Sequence, residues 1–145
     1  MGSVAFSGTL SGYTTLHLGG IAGHFSSSIY DSTVKNCANY GNVTHSGKSW
    51  GSDIGGIVGH SSSGSSTKRV FIHNSLNHGT ITHNGTTTDY LFLGGIAGDA
   101  WYTTIESCVS AGKISLPTKA SSYNRIGSIG GCRSLHIHQL RLFHK

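Results

Sequence analysis

The amino-acid sequence predicts an all-β protein, a parallel β-solenoid (β-helix) of about 3.5 repeats. A six-residue motif, Leu-Gly-Gly-Ile-Ala-Gly at positions 18–23, returns in close copies at 54–59 and 93–98 and in a weaker form at 126–131. The copies begin 36, 39 and 33 residues apart. Recurrence at this period is typical of repeat proteins, in which each unit relies on the next to cover its apolar face. We call this motif the hexad.

Composition agrees with a turn-rich β-structure. Among 145 residues there are 22 glycines and a single proline, and charged residues make up 10%, against about 25% in ordinary soluble domains. Such a chain disfavours long helices, and its length fits one domain. A disordered chain would not keep Ile and Val at fixed places in each unit, so we reject disorder.

Each repeat offers three short strand-like segments: the hexad, a Val/Ile-x-Asn/Ser segment, and a Gly-polar-apolar-hydroxyl segment. Their apolar residues predict three interior columns, made of Ile21, Ile57, Ile96 and Ile129, of Val34, Ile72 and Ile105, and of Leu10, Val43, Ile81 and Ile114. The polar residues Asn36, Asn74 and Ser107 are predicted to form a side-chain hydrogen-bond ladder. Whether a repeat makes one coil or two stays open. The hexad glycines are expected where the backbone turns.

Three cysteines are an odd number without the spacing of a metal site. Cys37 and Cys108 take the same place two repeats apart. At about 4.8 Å per coil their Cα atoms would be roughly 9–10 Å apart, which is too far for a disulfide. We therefore expect free thiols.

The repeat domain is predicted to span residues 1–131, because the pattern stops there. Residues 132–145 form a basic C-terminal tail, which is either a cap over the last coil or an artefact of a truncated reading frame. Six basic residues follow Glu106 without any acid, but they are spread out and match no nucleic-acid motif, so we predict no nucleic-acid partner. No run of 18 apolar residues predicts a membrane span, and no signal peptide is visible.

The combination of Gly-Gly-Ile-Val-Gly, Ile-x-Asn-Ser/Cys and Gly-x-Val/Ile-Thr resembles the GLUG-type repeats of large surface proteins, such as bacterial immunoglobulin A peptidases and adhesins. Similar arrays occur in surface proteins of some protists. The resemblance covers residues 4–131, with Ser128 and Gly130 as departures in the last copy. It implies an extracellular or cell-surface solenoid, a scaffold or adhesin whose repeats carry no catalytic residues and need no cofactor.

Histidines recur at two repeat positions. His24 and His60 follow the last glycine of their hexads, where the third repeat has Asp99, so the three could form the first shell of a divalent metal or simply face solvent at a turn. His45 and His83 form another pair, and their replacement by Leu116 predicts a tolerant surface position. In the tail, His136 and His138 are a further candidate metal pair. Polysaccharide lyases and hydrolases with β-solenoid folds use clusters of carboxylates or basic residues, so a polysaccharide-active β-helix enzyme fragment is a less favoured alternative. The five acids here show no paired carboxylates at matching positions, and we predict that the protein is not an enzyme.

The connecting segments, including 46–53, 84–90 and 116–124, vary in length and are predicted to be the loops that bind a glycan or protein ligand. Aromatic side chains provide the contact area for such recognition. The predicted binding residues are Trp50, Tyr90, Trp101, Tyr102 and Tyr123. For each of them the alternative is packing over the edge of a coil. A second function class is self-assembly, in which open coil edges pair end to end into a homo-oligomer or filament.

Overall fold

The structure, a computed structural model, describes residues 2–116, 123–131, 135–138 and 141–142. Regular structure in these residues is entirely β and forms five parallel sheets. Each repeat contributes one strand to nearly every sheet, so one repeat makes one coil, which answers the question left open by the sequence. The predicted parallel β-solenoid is confirmed, with about three turns.

The first coil consists of β1 (Val4–Phe6), β2 (Thr15–Gly19), β3 (Ala22–Ser27), β4 (Ser32–Lys35) and β5 (Ala38–Asn39). The second coil consists of β6 (Val43–His45), β7 (Lys48–Gly55), β8 (Val58–Ser63), β9 (Val70–His73) and β10 (Leu76–Asn77). The third coil consists of β11 (Ile81–His83), β12 (Thr86–Gly94), β13 (Ala97–Trp101), β14 (Thr103–Glu106) and β15 (Val109–Ser110). A partial fourth coil has β16 (Ile114–Ser115), β17 (Tyr123–Gly127), β18 (Leu135–His138) and β19 (Arg141–Leu142).

The sheets run along the coil stack in the orders β1-β6-β11-β16, β2-β7-β12-β17, β3-β8-β13, β4-β9-β14-β18 and β5-β10-β15-β19. Two strands of the predicted tail thus continue sheets of the solenoid, because β18 pairs with β14 and β19 with β15. None of the described residues forms a helix that is long and apolar enough to cross a membrane.

The core consists of two apolar clusters. One lies on β3-β8-β13 and β4-β9-β14 and contains the column Val34, Ile72 and Ile105, which the register brings together as predicted. The other lies on the β1 and β2 sheets and contains Val43 and Ile81. Burial of these columns provides the main stabilisation of the coils.

One column was predicted in the wrong register. Val4, not Leu10, is the Cα partner of Val43, and Leu10 donates its amide proton to the carbonyl oxygen of Lys48 instead. The first repeat contains the Gly-polar-apolar pattern twice, and the copy beginning at Gly2 is the one that pairs. Another predicted column is incomplete, because Ile21 is 47% exposed whereas Ile57, Ile96 and Ile129 are buried.

The predicted hydrogen-bond ladder is also displaced. Asn36, Asn74 and Ser107 are exposed and have positive φ of 56°, 46° and 51°, so they occupy the left-handed turn that asparagine tolerates best. The ladder lies three residues further on, where the Asn39 side-chain amide donates to Asn77 Oδ1 over 2.9 Å.

Glycines in the hexad are required by close approach rather than by an unusual φ. Among the described glycines a left-handed φ is found at Gly12, outside the hexads. A Cβ on Gly56 would lie 2.2 Å from Asn77 Cγ, and one on Gly59 would lie 2.7 Å from the Leu18 backbone nitrogen. The last hexad glycine therefore lets the two sheets that flank the hexad turn pack directly against each other.

The prediction of free thiols is confirmed for Cys37 and Cys108. The third cysteine, Cys132, lies outside the described residues.

Candidate functional site

A row of aromatic rings crosses the sheet β2-β7-β12-β17. Edge-to-face contacts join Tyr13 to Trp50, with ring centroids 5.7 Å apart, and Trp50 to Tyr90, with centroids 5.4 Å apart. Tyr123 is the Cα partner of Tyr90 in the next coil. We call Tyr13, Trp50, Tyr90 and Tyr123 the aromatic row. It runs from the first coil to the fourth, parallel to the direction in which the coils stack.

Phe92, two residues after Tyr90 on the same strand and therefore on the same face, packs beside the row. Phe92 is fully buried and packs its ring 4.9 Å from that of Tyr90 and 5.9 Å from that of Tyr123. Gly51 leaves the space that the Tyr90 ring occupies, since a Cβ there would lie 2.4 Å from Tyr90 Cζ. These contacts hold the Tyr90 and Tyr123 rings in a defined orientation.

The row combines apolar faces with hydrogen-bonding groups. Tyr13 is 87% exposed and Tyr123 is 45% exposed, whereas Trp50 and Tyr90 are half-buried. The Tyr90 hydroxyl lies 2.9 Å from Thr15 Oγ1. At the fourth coil the Arg125 guanidinium lies 5.2 Å from the Tyr123 ring centroid, which places one positive charge at this end of the row.

Three of the predicted binding residues, Trp50, Tyr90 and Tyr123, therefore meet on one surface. The prediction that they lie on loops was wrong, because they belong to β7, β12 and β17. Sequence reasoning missed Tyr13 and Phe92. The members of the aromatic row are spaced by roughly one repeat, and this spacing was an available signal for Tyr13. It was missed because segments rich in Ser, Thr and Asp were interpreted as loops rather than strands.

The other two predicted binding residues lie elsewhere. Trp101 ends β13 and is 38% exposed, and Tyr102 follows at the corner before β14 with φ 48°. The Arg69 guanidinium lies 5.8 Å from the Tyr102 ring centroid. This pair occupies a corner between two other sheets and does not extend the aromatic row.

The residues of the predicted metal column are adjacent. His24 pairs in register with His60, and His60 with Asp99. The imidazole centroids of His24 and His60 are 5.0 Å apart, and His60 Nδ1 lies 3.7 Å from Asp99 Oδ2. Asp99 is buried and one of its oxygens accepts a hydrogen bond from the Ala100 amide. The sequence pattern thus identified three side chains that share a surface.

Sequence reasoning missed two further members of this cluster, His17 and Asp53. They precede their hexads just as His24 and His60 follow theirs, and the hexad turn brings the two positions together across a separation of seven residues. Asp53 Oδ2 lies 2.9 Å from His17 Nδ1 and 3.1 Å from His60 Nδ1. Partial loss of hydration, and then the neighbouring imidazoles of His60 and His17, lower the pKa of His24, although Asp53 acts in the opposite direction.

The prediction that His45 and His83 lie on a tolerant surface was wrong. Both side chains are fully buried, and their Nδ1 atoms lie 2.9 Å apart. Burial lowers the pKa of His45, and burial together with the nearby His45 lowers the pKa of His83 from 6.5 to about 4. The replacement by Leu116 reflects an interior position that accepts apolar residues. The side chains of His136 and His138 lie outside the described part of the chain.

No protein-family model matches the chain, and neither a curated protein nor a solved structure matches it. The resemblance to GLUG-type repeats therefore depends on the sequence motifs alone.

Proposed function

We propose that this protein is a non-catalytic surface scaffold or adhesin domain that binds a glycan chain along the aromatic row. The observation that carries the proposal is the extent of the row over four coils: ring contacts join Tyr13, Trp50 and Tyr90, and Tyr123 is the Cα partner of Tyr90 in the next coil. Extended ligands need contacts that repeat along their length, and the coil stack supplies aromatic rings at such a repeat.

The chemistry of the row favours a carbohydrate over a protein ligand. Aromatic rings offer flat apolar faces for the apolar faces of sugar rings, and their hydroxyl groups can bond to sugar hydroxyls. The Tyr90 hydroxyl lies 2.9 Å from Thr15 Oγ1, so uncharged hydroxyl groups are part of this surface. Arg125 places one positive charge next to Tyr123, so a neutral or weakly acidic glycan fits best. The GLUG-type resemblance supports a location outside the cell or on its surface.

The test is a glycan array followed by titration calorimetry with the best-bound glycan. We expect Tyr13→Ala to lower the affinity about tenfold, because Tyr13 is 87% exposed and can be removed without opening a cavity in the core. Tyr30→Ala is the matched control, since Tyr30 is 74% exposed but outside the row. Equal loss in both variants, or an array without any bound glycan, would contradict the proposal.

A second candidate function is end-to-end assembly into a homo-oligomer or filament. It is supported by Ile21, which is 47% exposed although its equivalents in later coils are buried beneath a neighbour. Strands β1 to β5 lie at the same end of their sheets and leave one edge each without a described partner. Light scattering after size exclusion tests this: Ile21→Lys should convert assemblies to monomers, whereas Ile29→Lys, at another exposed position, should not. A monodisperse wild-type monomer at high concentration would exclude assembly.

A further inference from the structure

The cluster beside the hexad turns has the composition of a transition-metal site. His17, Asp53 and His60 each offer one ligand atom, and these atoms all lie within 4.8 Å of one another. His24 adds another imidazole, whose centroid is 5.2 Å from that of His17. The cluster joins the first two coils, because His17 and His24 belong to β2 and β3 whereas Asp53 and His60 belong to β7 and β8.

The spacing of the ligand atoms suits one small cation. Ligands about 2.0–2.1 Å from a tetrahedral zinc ion lie about 3.3 Å from each other. The two distances from Asp53 Oδ2, 2.9 Å to His17 Nδ1 and 3.1 Å to His60 Nδ1, are close to this value. A small movement of the half-exposed imidazoles away from Asp53 would admit the ion. The buried carboxylate would remain where the backbone of β7 holds it.

Buried polar atoms without a hydrogen-bond partner are a second, independent indication of a metal site in this cluster. Asp53 is 1% exposed, and its Oδ1 atom has no hydrogen-bond partner. His17 Nδ1 is also buried and, despite its short distance from Asp53, is not aligned for a hydrogen bond. Within the described residues, the ion-pair partners of Asp53 are the two histidines. A buried carboxylate without a permanent cation is costly, and a bound metal ion would remove that cost.

The ligand types select the kind of metal. Two imidazole nitrogens with one or two carboxylates suit zinc and its neighbours in the first transition row, whereas magnesium and calcium prefer oxygen ligands throughout. Asp99, whose Oδ2 lies 3.7 Å from His60 Nδ1, contributes negative charge from the third coil. Two carboxylates next to imidazole nitrogens favour a divalent ion.

We infer that His17, Asp53 and His60 bind a divalent transition-metal ion of the zinc type, with His24 or water as the fourth ligand, and that this ion links the first and second coils. The site is independent of glycan binding by the aromatic row. Its role is structural. The ion joins β2 of the first coil to β7 and β8 of the second, where these sheets meet at the hexad turns.

The test uses the untagged full chain and zinc chloride in titration calorimetry. We expect one zinc per chain, and we expect the double variant His17→Gln/His60→Gln to weaken binding by at least about a hundredfold. Zinc should raise the melting temperature of the wild type but not that of the variant. Cobalt(II) should give the visible absorption of a tetrahedral nitrogen-oxygen site in the wild type alone.

Two controls locate the ion. His136→Gln/His138→Gln removes the candidate metal pair of the C-terminal tail, and His73→Gln removes a histidine whose Nδ1 lies 3.1 Å from a Glu106 oxygen. Both should bind zinc like the wild type. If the His17/His60 variant loses its β-type circular dichroism, Asp53→Asn replaces it, with the same loss of zinc binding expected. Absence of zinc binding by the wild type, or unchanged binding after removal of the proposed ligands, overturns the inference.

Discussion

The Nδ1 atoms of His45 and His83 lie 2.9 Å apart inside the solenoid, in side chains without exposed surface. A contact of this kind requires one Nδ1 to donate a proton and the other to be unprotonated and accept it. Burial lowers the pKa of both rings and so favours their neutral forms. The Nε2 atoms of both rings are buried without a hydrogen-bond partner. Protonation of either ring would place an unpaired charge in the core, next to the other ring.

The first prediction is a loss of stability in mild acid. His83 has a pKa of about 4 in the folded protein and 6.5 as an unperturbed side chain, so the unfolded state binds more protons between these values. The stability contribution is present above pH 6.5 and is lost as the pH falls towards 4, by up to about 3 kcal/mol. Urea unfolding followed by tryptophan fluorescence at pH 7.5, 6, 5 and 4 measures it.

The matched variant for this measurement is His45→Leu/His83→Leu, because Leu116 occupies the following repeat at the same position. It should show a shallower loss of unfolding free energy between pH 6.5 and 4 than the wild type. Parallel pH profiles for the two proteins would assign the acid sensitivity to other groups.

The second prediction concerns the asparagine ladder. Asn77 is fully buried; its side chain accepts from Asn39 and from the Gly79 amide and donates to the Gly79 carbonyl oxygen. Asn77→Asp replaces the donor by an acceptor and buries a charge, so it should lower the free energy of unfolding by more than about 3 kcal/mol. Asn77→Ser should cost about 1–2 kcal/mol, since Ser110 already fills the equivalent place. Chemical denaturation measures both.

Asn74→Ser is the control for the ladder. Asn74 is exposed, and its counterpart in the next repeat is Ser107, which adopts the same left-handed turn. We expect a change of about 0.5 kcal/mol or less. If Asn74→Ser were as damaging as Asn77→Asp, the ladder would not be the reason for the loss.

The third prediction separates close approach from backbone conformation. A Cβ on Gly56 would lie 2.2 Å from both Asn77 Cγ and the Gly95 carbonyl oxygen, and neither neighbour can move without disturbing the ladder or the hexad turn of the third coil. Gly56→Ala should therefore destabilise the fold by about 3 kcal/mol or more. A Cβ on Gly12 would lie more than 4 Å from any residue other than its chain neighbours, but Gly12 has φ 65°. Gly12→Ala should therefore lower the free energy of unfolding by only about 1 kcal/mol. Thermal unfolding of the two variants gives the comparison, and equal losses would contradict it.

The sequence predicted those features that repeat with a constant chemical type. Val34, Ile72 and Ile105 form a column because a parallel solenoid places equivalent residues one above another. The same logic placed His24 next to His60. It failed for Leu10, since two copies of one short pattern compete in the first repeat and only long-range pairing chooses between them.

Contacts between positions that are not equivalent could not be predicted in this way. Asp53 meets His60 because a glycine column lets two sheets pack closely, which is a property of the turn and not of either residue. The strands that carry Trp50 and Tyr90 are rich in Ser, Thr and Asp, so their polarity resembled that of a loop. In a stacked coil, backbone pairing with both neighbours fixes such a segment as a strand despite its polar side chains.

The fourth prediction concerns the thiols. Cys108 is 2% exposed and burial raises its pKa. Its Sγ lies 3.4 Å from the Ile72 carbonyl oxygen and 3.3 Å from that of Glu106, so its one proton is within reach of two acceptors, whereas Cys37 is only half-buried. In a Cys132→Ser background, Ellman's reagent at pH 8 should therefore modify Cys37 quickly, whereas Cys108 should react only as fast as the coils around it open. Replacing Cys37 by Ser, the residue present at Ser75 in the same column, should remove the fast phase and leave the slow one. Two equally fast phases would mean that the third coil opens as readily as the first, which is incompatible with its buried core.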